Sequence, residues 1–151
     1  MQEIERKFLV TSQSFLDEAV EKQQIIQGYI SLHPSRSVRV RIQDNCGFIT
    51  IKGASNPTGL SRFEWECSIS VVEAKQLLKL IEGTLIQKTR YRVPTKTHCF
   101  EVDVFEGEHE GLIIAEIELK EEDESFEKPA WLGKEVSGKP EYYNVSLAKK
   151  R

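Results

Sequence analysis

No apolar run in the 151-residue sequence approaches the roughly 20 residues that a membrane-spanning helix needs, so no membrane partner is expected. The opening Met1-Gln2-Glu3-Ile4-Glu5 lacks the basic, apolar and small-residue regions of a signal peptide. Cysteine is scarce: Cys46, Cys67 and Cys99 are odd in number and lack C-x-x-C spacing. That argues against a disulfide framework or a zinc site, and reduced thiols in a cytoplasmic protein are expected. A basic excess is also missing. With a formal net charge of -3 and a pI near 5.7, the chain is not expected to bind nucleic acid generally. Internal repeats, low-complexity blocks and long linkers are absent too, so residues 1–151 are expected to form one domain.

What the sequence does contain is a period of two, the signature of strands. Strands are expected over 3–10, 24–32, 37–43, 48–52, 61–70, 86–93, 98–105 and 112–119. Thr11 or Ser12 can cap a short helix through Phe15, Leu16, Ala19 and Val20. Asp44-Asn45-Cys46-Gly47 suits a hairpin turn. Val71 to Glu82 has the apolar stripe of a helix, with Gly83 to end it, and a last helix can start at Asn144. About eight strands, two to three helices and short connections describe a mainly β (α+β) protein with an antiparallel sheet.

Residues two apart on a strand share a face. Glu3, Glu5 and Lys7 therefore align, as do Arg39 and Arg41, then Arg62, Glu64 and Glu66. Lys88, Arg90 and Arg92 form another row, followed by Glu101 with Asp103 and Glu116 with Glu118. The alternate positions are largely apolar, among them Val38, Val40, Ile42, Phe63, Trp65, Val102 and Ile117. Two arrangements fit. One is an ordinary antiparallel sheet with a wet side and a core side. The other is a closed barrel with the charged face inward and the helices covering an apolar exterior. Three features favour the second. The charged positions are almost wholly Arg, Lys, Glu and Asp, without the usual Thr, Ser and Gln. Arginine, whose fork suits phosphate oxygens, is preferred. Basic residues gather on the third, fourth and sixth strands and acidic ones on the first, seventh and eighth, so a metal-bound polyanion would satisfy both walls.

These residues resemble the CYTH superfamily, the triphosphate tunnel metalloenzymes. Glu3-Ile4-Glu5-Arg6-Lys7 is similar to its E-x-E-x-K opening, and Arg39-x-Arg41, Lys52, Glu64-x-Glu66, Lys88-x-Arg90 and Glu116-x-Glu118 follow in the family's order. Trp131-Leu132-Gly133-Lys134-Glu135-Val136 and Tyr142-Tyr143-Asn144 look like the short bacterial members. The resemblance implies an eight-stranded antiparallel β-barrel tunnel with a charged interior, flanked by two to three helices. It also implies a triphosphate substrate and Mg²⁺ or Mn²⁺ as cofactor, hard ions that prefer oxygen ligands.

On that resemblance Glu3, Glu5, Glu116 and Glu118 are the metal-binding candidates. Arg39, Arg41, Lys52, Glu64, Lys88, Arg90 and Arg92 are the substrate-binding ones, the cations offsetting charge as the terminal bond breaks. Lys7 and Tyr29 match the lysine and tyrosine that inorganic triphosphatases of the family use to orient the attacking water. Tyr29 could instead be an ordinary barrel aromatic, and Arg92 is as readily a solvated strand end. Inorganic tripolyphosphate is the expected substrate, because no extra segment offers a nucleoside pocket. Adenylate cyclase, thiamine or nucleoside triphosphatase activity, and non-catalytic polyphosphate binding are the alternatives. The sequence allows a homodimer and leaves open whether the C-terminal segment plugs one mouth of the tunnel.

Overall fold

The computed structural model describes residues 2–149. Its strands are β1 (Gln2–Val10), β2 (Glu21–Ser31), β3 (Arg36–Gln43), β4 (Cys46–Gly53), β5 (Ser61–Ile69), β6 (Glu82–Pro94), β7 (Cys99–Glu106), β8 (Ile113–Glu118) and β9 (Leu132–Glu135). Two α-helices, α1 (Val71–Leu77) and α2 (Asn144–Ala148), complete the framework with several 3-10 turns. The strands pair in the order β5-β4-β3-β2-β6-β7-β8-β1-β9. β1 divides its partners: Gln2 to Ile4 pair with β5, and Glu5 to Leu9 pair with β8. That division closes the expected eight-stranded antiparallel barrel, leaving no free edge within it. β9 is an additional strand on the outside of the closure, paired with β1 at Phe8 and Val10. Its four residues are too few for an alternation to show in the sequence.

The charged face points inward. Outside, Phe8, Phe100, Val102, Ala115 and Ile117 of β1, β7 and β8 form one core with Phe15 and Trp131. Phe100 and Phe15 meet the Trp131 ring edge-on at 5.4 and 5.9 Å between centroids. A second core lies inside the barrel, one step beyond the charged rows. Tyr29, Ile86, Phe105 and Ile114 follow Gln27, Lys88, Asp103 and Glu116 at two-residue spacing, and Val145, Leu147 and Ala148 of α2 pack on them. The C-terminal helix therefore closes one end, and the tunnel is a blind cup. Gly83 permits this approach: at φ 70°, it sits where a Cβ would lie 2.2 Å from the Ala148 carbonyl oxygen.

Several elements differ from expectation. The helix anticipated through Phe15 and Val20 is a single 3-10 turn, Ser14–Asp17, which is enough to bury Phe15 fully. The hairpin turn is Asp44-Asn45 alone, since Gln43 pairs with Cys46. Asp44 carries the left-handed conformation (φ 54°), and Gly47 lies within β4. α1 starts as a capping box, in which Ser70 Oγ accepts from the Glu73 N–H and Glu73 accepts from the Ser70 N–H, both at 3.0 Å. It does not run to Glu82. Leu78–Leu80 tighten into a 3-10 turn, Ile81 is extended, and β6 begins at Glu82. The cause is tertiary: Leu78 and Ile81 pack on Gly28 of β2, where a Cβ would come within 2.7 Å of Ile81 Cγ2. Among the described residues, no helix is long and apolar enough to cross a membrane.

Candidate active site

Inward-facing rows of the barrel enclose a cavity of about 210 Å³. Its lining combines the carboxylates of Glu3, Glu5, Glu64, Glu66, Glu101, Glu116 and Glu118 with Arg39, Arg41, Lys52 and Arg90, and Asn144 of α2 completes it. Apolar side chains are absent from this lining, the reverse of an ordinary small-molecule pocket. Such a space suits a compact, multiply charged ligand.

The two signs are interleaved by specific pairs. Lys52 Nζ lies 3.0 Å from both Glu3 oxygens and 3.7 Å from Glu64 Oε2. Arg62 Nε donates to the same Glu3 carboxylate at 3.4 Å. Lys7 Nζ donates to Glu116 Oε2 and stands 3.3 Å from Glu5. Burial alone would lower Lys7, but the Glu116 and Glu5 carboxylates outweigh it and hold the ammonium firmly protonated. Glu3 is held low in the same way, its burial overcome by Lys52 and Arg62.

Deeper in the wall, Arg90 grips Asp103 with both prongs, at 2.7 and 2.9 Å, in the register that sets these residues opposite each other. Lys88 Nζ approaches Asp103 Oδ2 at 2.7 Å and donates to Asn144 Oδ1 at 3.3 Å. Asp103 is buried, yet these two cations keep it well below the usual carboxylate range. Lys88 shows the opposite result. Complete burial, with Arg90 and Arg41 nearby, brings it down to about 7 despite Asp103. Arg41 is likewise lowered to about 9 by burial and by Arg39 and Arg90. This wall carries more positive charge than its carboxylates neutralise, which is what an anion site requires.

The opposite imbalance occurs at Glu64 and Glu118. Both are raised, first by partial burial and then by Glu3. Carboxylates that repel one another across a cavity mark a place for a cation, and an all-oxygen donor set suits a hard divalent ion. Among the described residues, no three acidic or His/Cys side chains stand together as a ready-made cation site. The lysines explain this, because Lys52 stands between Glu3 and Glu64, and Lys7 between Glu5 and Glu116. The donors fit such a cation, which would compete with these lysines for them.

Of the residues singled out from sequence, Glu3, Glu5, Arg39, Arg41, Lys52, Glu64, Arg90, Glu116 and Glu118 all line the cavity. Lys88 is sealed behind it, and Lys7 faces an adjoining crevice with Glu3, Glu5 and Arg62. Tyr29 is 4% exposed and belongs to the apolar plug. Arg92 lies outside the cavity, largely exposed, with Nε 3.5 Å from Glu21. The sequence pattern sets Asp103 on the charged face and Asn144 at a helix start and in a family-like segment, neither with a role in the site, and does not single out Gln27. The spacing of Asp103 from Glu101, and of Gln27 from Tyr29, was the available signal.

Residues 1–150 match the model of the CYTH domain. An inorganic triphosphatase of Acetivibrio thermocellus is 45% identical over 149 residues, covering 97% of this chain and 93% of the relative. Another from Nitrosomonas europaea is 38% identical over 154 residues, covering 98% and 97%. A crystal structure described as an inorganic triphosphatase superposes with a TM-score of 0.71 at 34% identity, covering 98% of each chain.

Proposed function

The chain belongs to the CYTH domain family, and on that premise we propose that it hydrolyses the terminal phosphate of inorganic tripolyphosphate with a divalent cation, Mg²⁺ or Mn²⁺. The observation that carries the reading is the wholly polar cavity, in which Arg39, Arg41, Lys52 and Arg90 face seven carboxylates. A nucleobase or a thiamine ring would need apolar or aromatic surface, and this lining offers none. Tripolyphosphate needs only donors and counter-charge. One catalytic domain suffices for this, and free Cys46, Cys67 and Cys99 suit a cytoplasmic location.

In this mechanism water attacks the terminal phosphorus, the bond to the bridging oxygen breaks, and phosphate and pyrophosphate leave. Arg39, Arg41, Lys52 and Arg90 hold the phosphoryl oxygens, and with Lys88 behind them they stabilise the charge that builds there. Glu3, Glu5, Glu116 and Glu118, with Glu64 alongside, would hold a divalent cation, which would supply further neutralisation of those oxygens. Lys7 is protonated beside Glu116 and Glu5, so it orients the water by donating hydrogen bonds and does not take its proton. Tyr29 assists in orienting that water through its hydroxyl. Arg92 guides the anion inward from its exposed position.

The test is purified protein with Mg²⁺ or Mn²⁺ against tripolyphosphate, ATP and thiamine triphosphate, scored for free phosphate and cyclic AMP. Phosphate release from tripolyphosphate above the other two is expected; cyclic AMP, or no product from any of them, refutes the proposal. Unchanged turnover in Tyr29→Phe would remove Tyr29 from the mechanism.

A further inference from the structure

Two buried side-chain donors have no hydrogen-bond partner among the described residues: Nε2 of Gln27 and Nε of Arg39. They are neighbours. Gln27 pairs with Arg41 and Tyr29 with Arg39 in the β2–β3 register, so Gln27 and Arg39 are diagonal on the inward face. Long side chains at diagonal positions can reach a common partner. The carboxamide orientation is fixed, because Arg41 Nε donates to Gln27 Oε1 at 3.0 Å and arginine offers no acceptor for the other end. Nε2 therefore directs its hydrogens elsewhere, in a side chain with no exposed surface. Arg39 is anchored through Nη2 on Thr50 Oγ1 at 3.0 Å, which leaves its Nε free.

Burying such donors unpaired is costly, and one ligand rich in acceptor oxygens would satisfy both. We infer that Gln27 is a further substrate-binding residue, whose Nε2 joins Arg39 Nε in holding a phosphoryl oxygen at the β2–β3 corner of the cup. The inference rests on the triphosphate reading above. A neutral donor has a specific advantage here. Arg39, Arg41, Lys88 and Arg90 already crowd this wall, and an amide adds hydrogen bonds to the anion without adding charge. The same amide fixes the Arg41 fork through its oxygen, so one side chain meets the ligand and aligns a neighbour.

Calorimetric titration separates contact from alignment. The full chain is titrated with tripolyphosphate in EDTA, and with phosphate and pyrophosphate in Mg²⁺, so turnover does not enter. Gln27→Met should bind about tenfold more weakly, the order expected for one hydrogen bond to a charged group. If Gln27 acted only through Arg41, its effect would vanish in an Arg41→Met background; a direct contact keeps the effect there. The side-chain ¹⁵N–¹H signals of Gln27 in the wild-type protein should also shift on titration. Undiminished affinity in Gln27→Met, loss of the effect in the Arg41→Met background, or unmoved Gln27 signals would overturn the inference alone. A wild-type protein that takes up none of the three anions would overturn the triphosphate reading together with it.

Discussion

Lys52 Nζ spans the cup to Glu3, 3.0 Å from each carboxylate oxygen, and so ties a basic strand to an acidic one. The two charges thus neutralise each other, so a cation bound at Glu3 would compete with Lys52, and a phosphate bound at Lys52 would compete with Glu3. Filling either site frees a partner for the other. Divalent cation and tripolyphosphate should therefore bind with positive coupling, and the coupling must be reciprocal. Titrating Mn²⁺ with and without tripolyphosphate, and tripolyphosphate with and without Mn²⁺, should give the same factor both ways, on the order of 5–150-fold. Lys52→Met should weaken the anion and tighten the cation. Independent binding of the two would contradict the arrangement.

Asp103 holds Arg90 and Lys88 at once, with almost no solvent contact. Asp103→Asn removes the carboxylate that the two buried cations share, a change that costs about 3–5 kcal/mol in comparable buried pairs. Urea unfolding of the variant should show that loss. Bound tripolyphosphate should recover part of it by supplying the missing negative charge. A variant as stable as the parent would mean that water already screens this wall.

The inward rows were legible because each is a single-strand pattern: Glu3 with Glu5, Arg39 with Arg41, and Glu116 with Glu118 recur at spacing two whatever their neighbours are. What Asp103 does was not legible. Its bidentate contact depends on the Arg90–Asp103 register, which no one strand contains. Gln27 was not legible because an uncharged amide in a charged row reads like any strand side chain that faces water. The end of α1 depends on Ile81 meeting Gly28, residues on separate elements. The four-residue β9 exists because β1 offers it pairing partners at Phe8 and Val10. In each case the missing information lies between elements.

Lys88 gives the site a pH dependence of definite sign. In the free protein burial lowers it to about 7, whereas a bound polyanion favours its charged form. Below that value the lysine is charged before and after binding, and no proton moves. Above it, and below lysine's usual range near 10.5, binding takes up a proton at Lys88. Its contribution to affinity therefore declines as pH rises, by at most about tenfold per unit. Calorimetry at pH 8 in buffers of different ionisation enthalpy should register more proton uptake in the wild type than in Lys88→Met. Equal uptake in the two would place the titrating group elsewhere.

Glu118 is raised by partial burial and then by Glu3, Glu64, Glu5 and Glu101, with no cation paired to it among the described residues. Its charge thus opposes the unliganded fold and favours a bound cation. The variant Glu118→Gln keeps the shape and removes the charge, so two opposite effects follow from one substitution. In EDTA the melting temperature should rise. Mn²⁺ affinity should fall roughly tenfold or more, as expected when a ligating or supporting carboxylate is lost. The wild-type affinity should begin to weaken with falling pH at a higher value than an ordinary carboxylate would give, because protons compete for a group already pushed upward. In Glu118→Gln that part of the acid-side loss should disappear. Stability and metal affinity moving together, both up or both down, would mean that Glu118 serves the fold and not the cation.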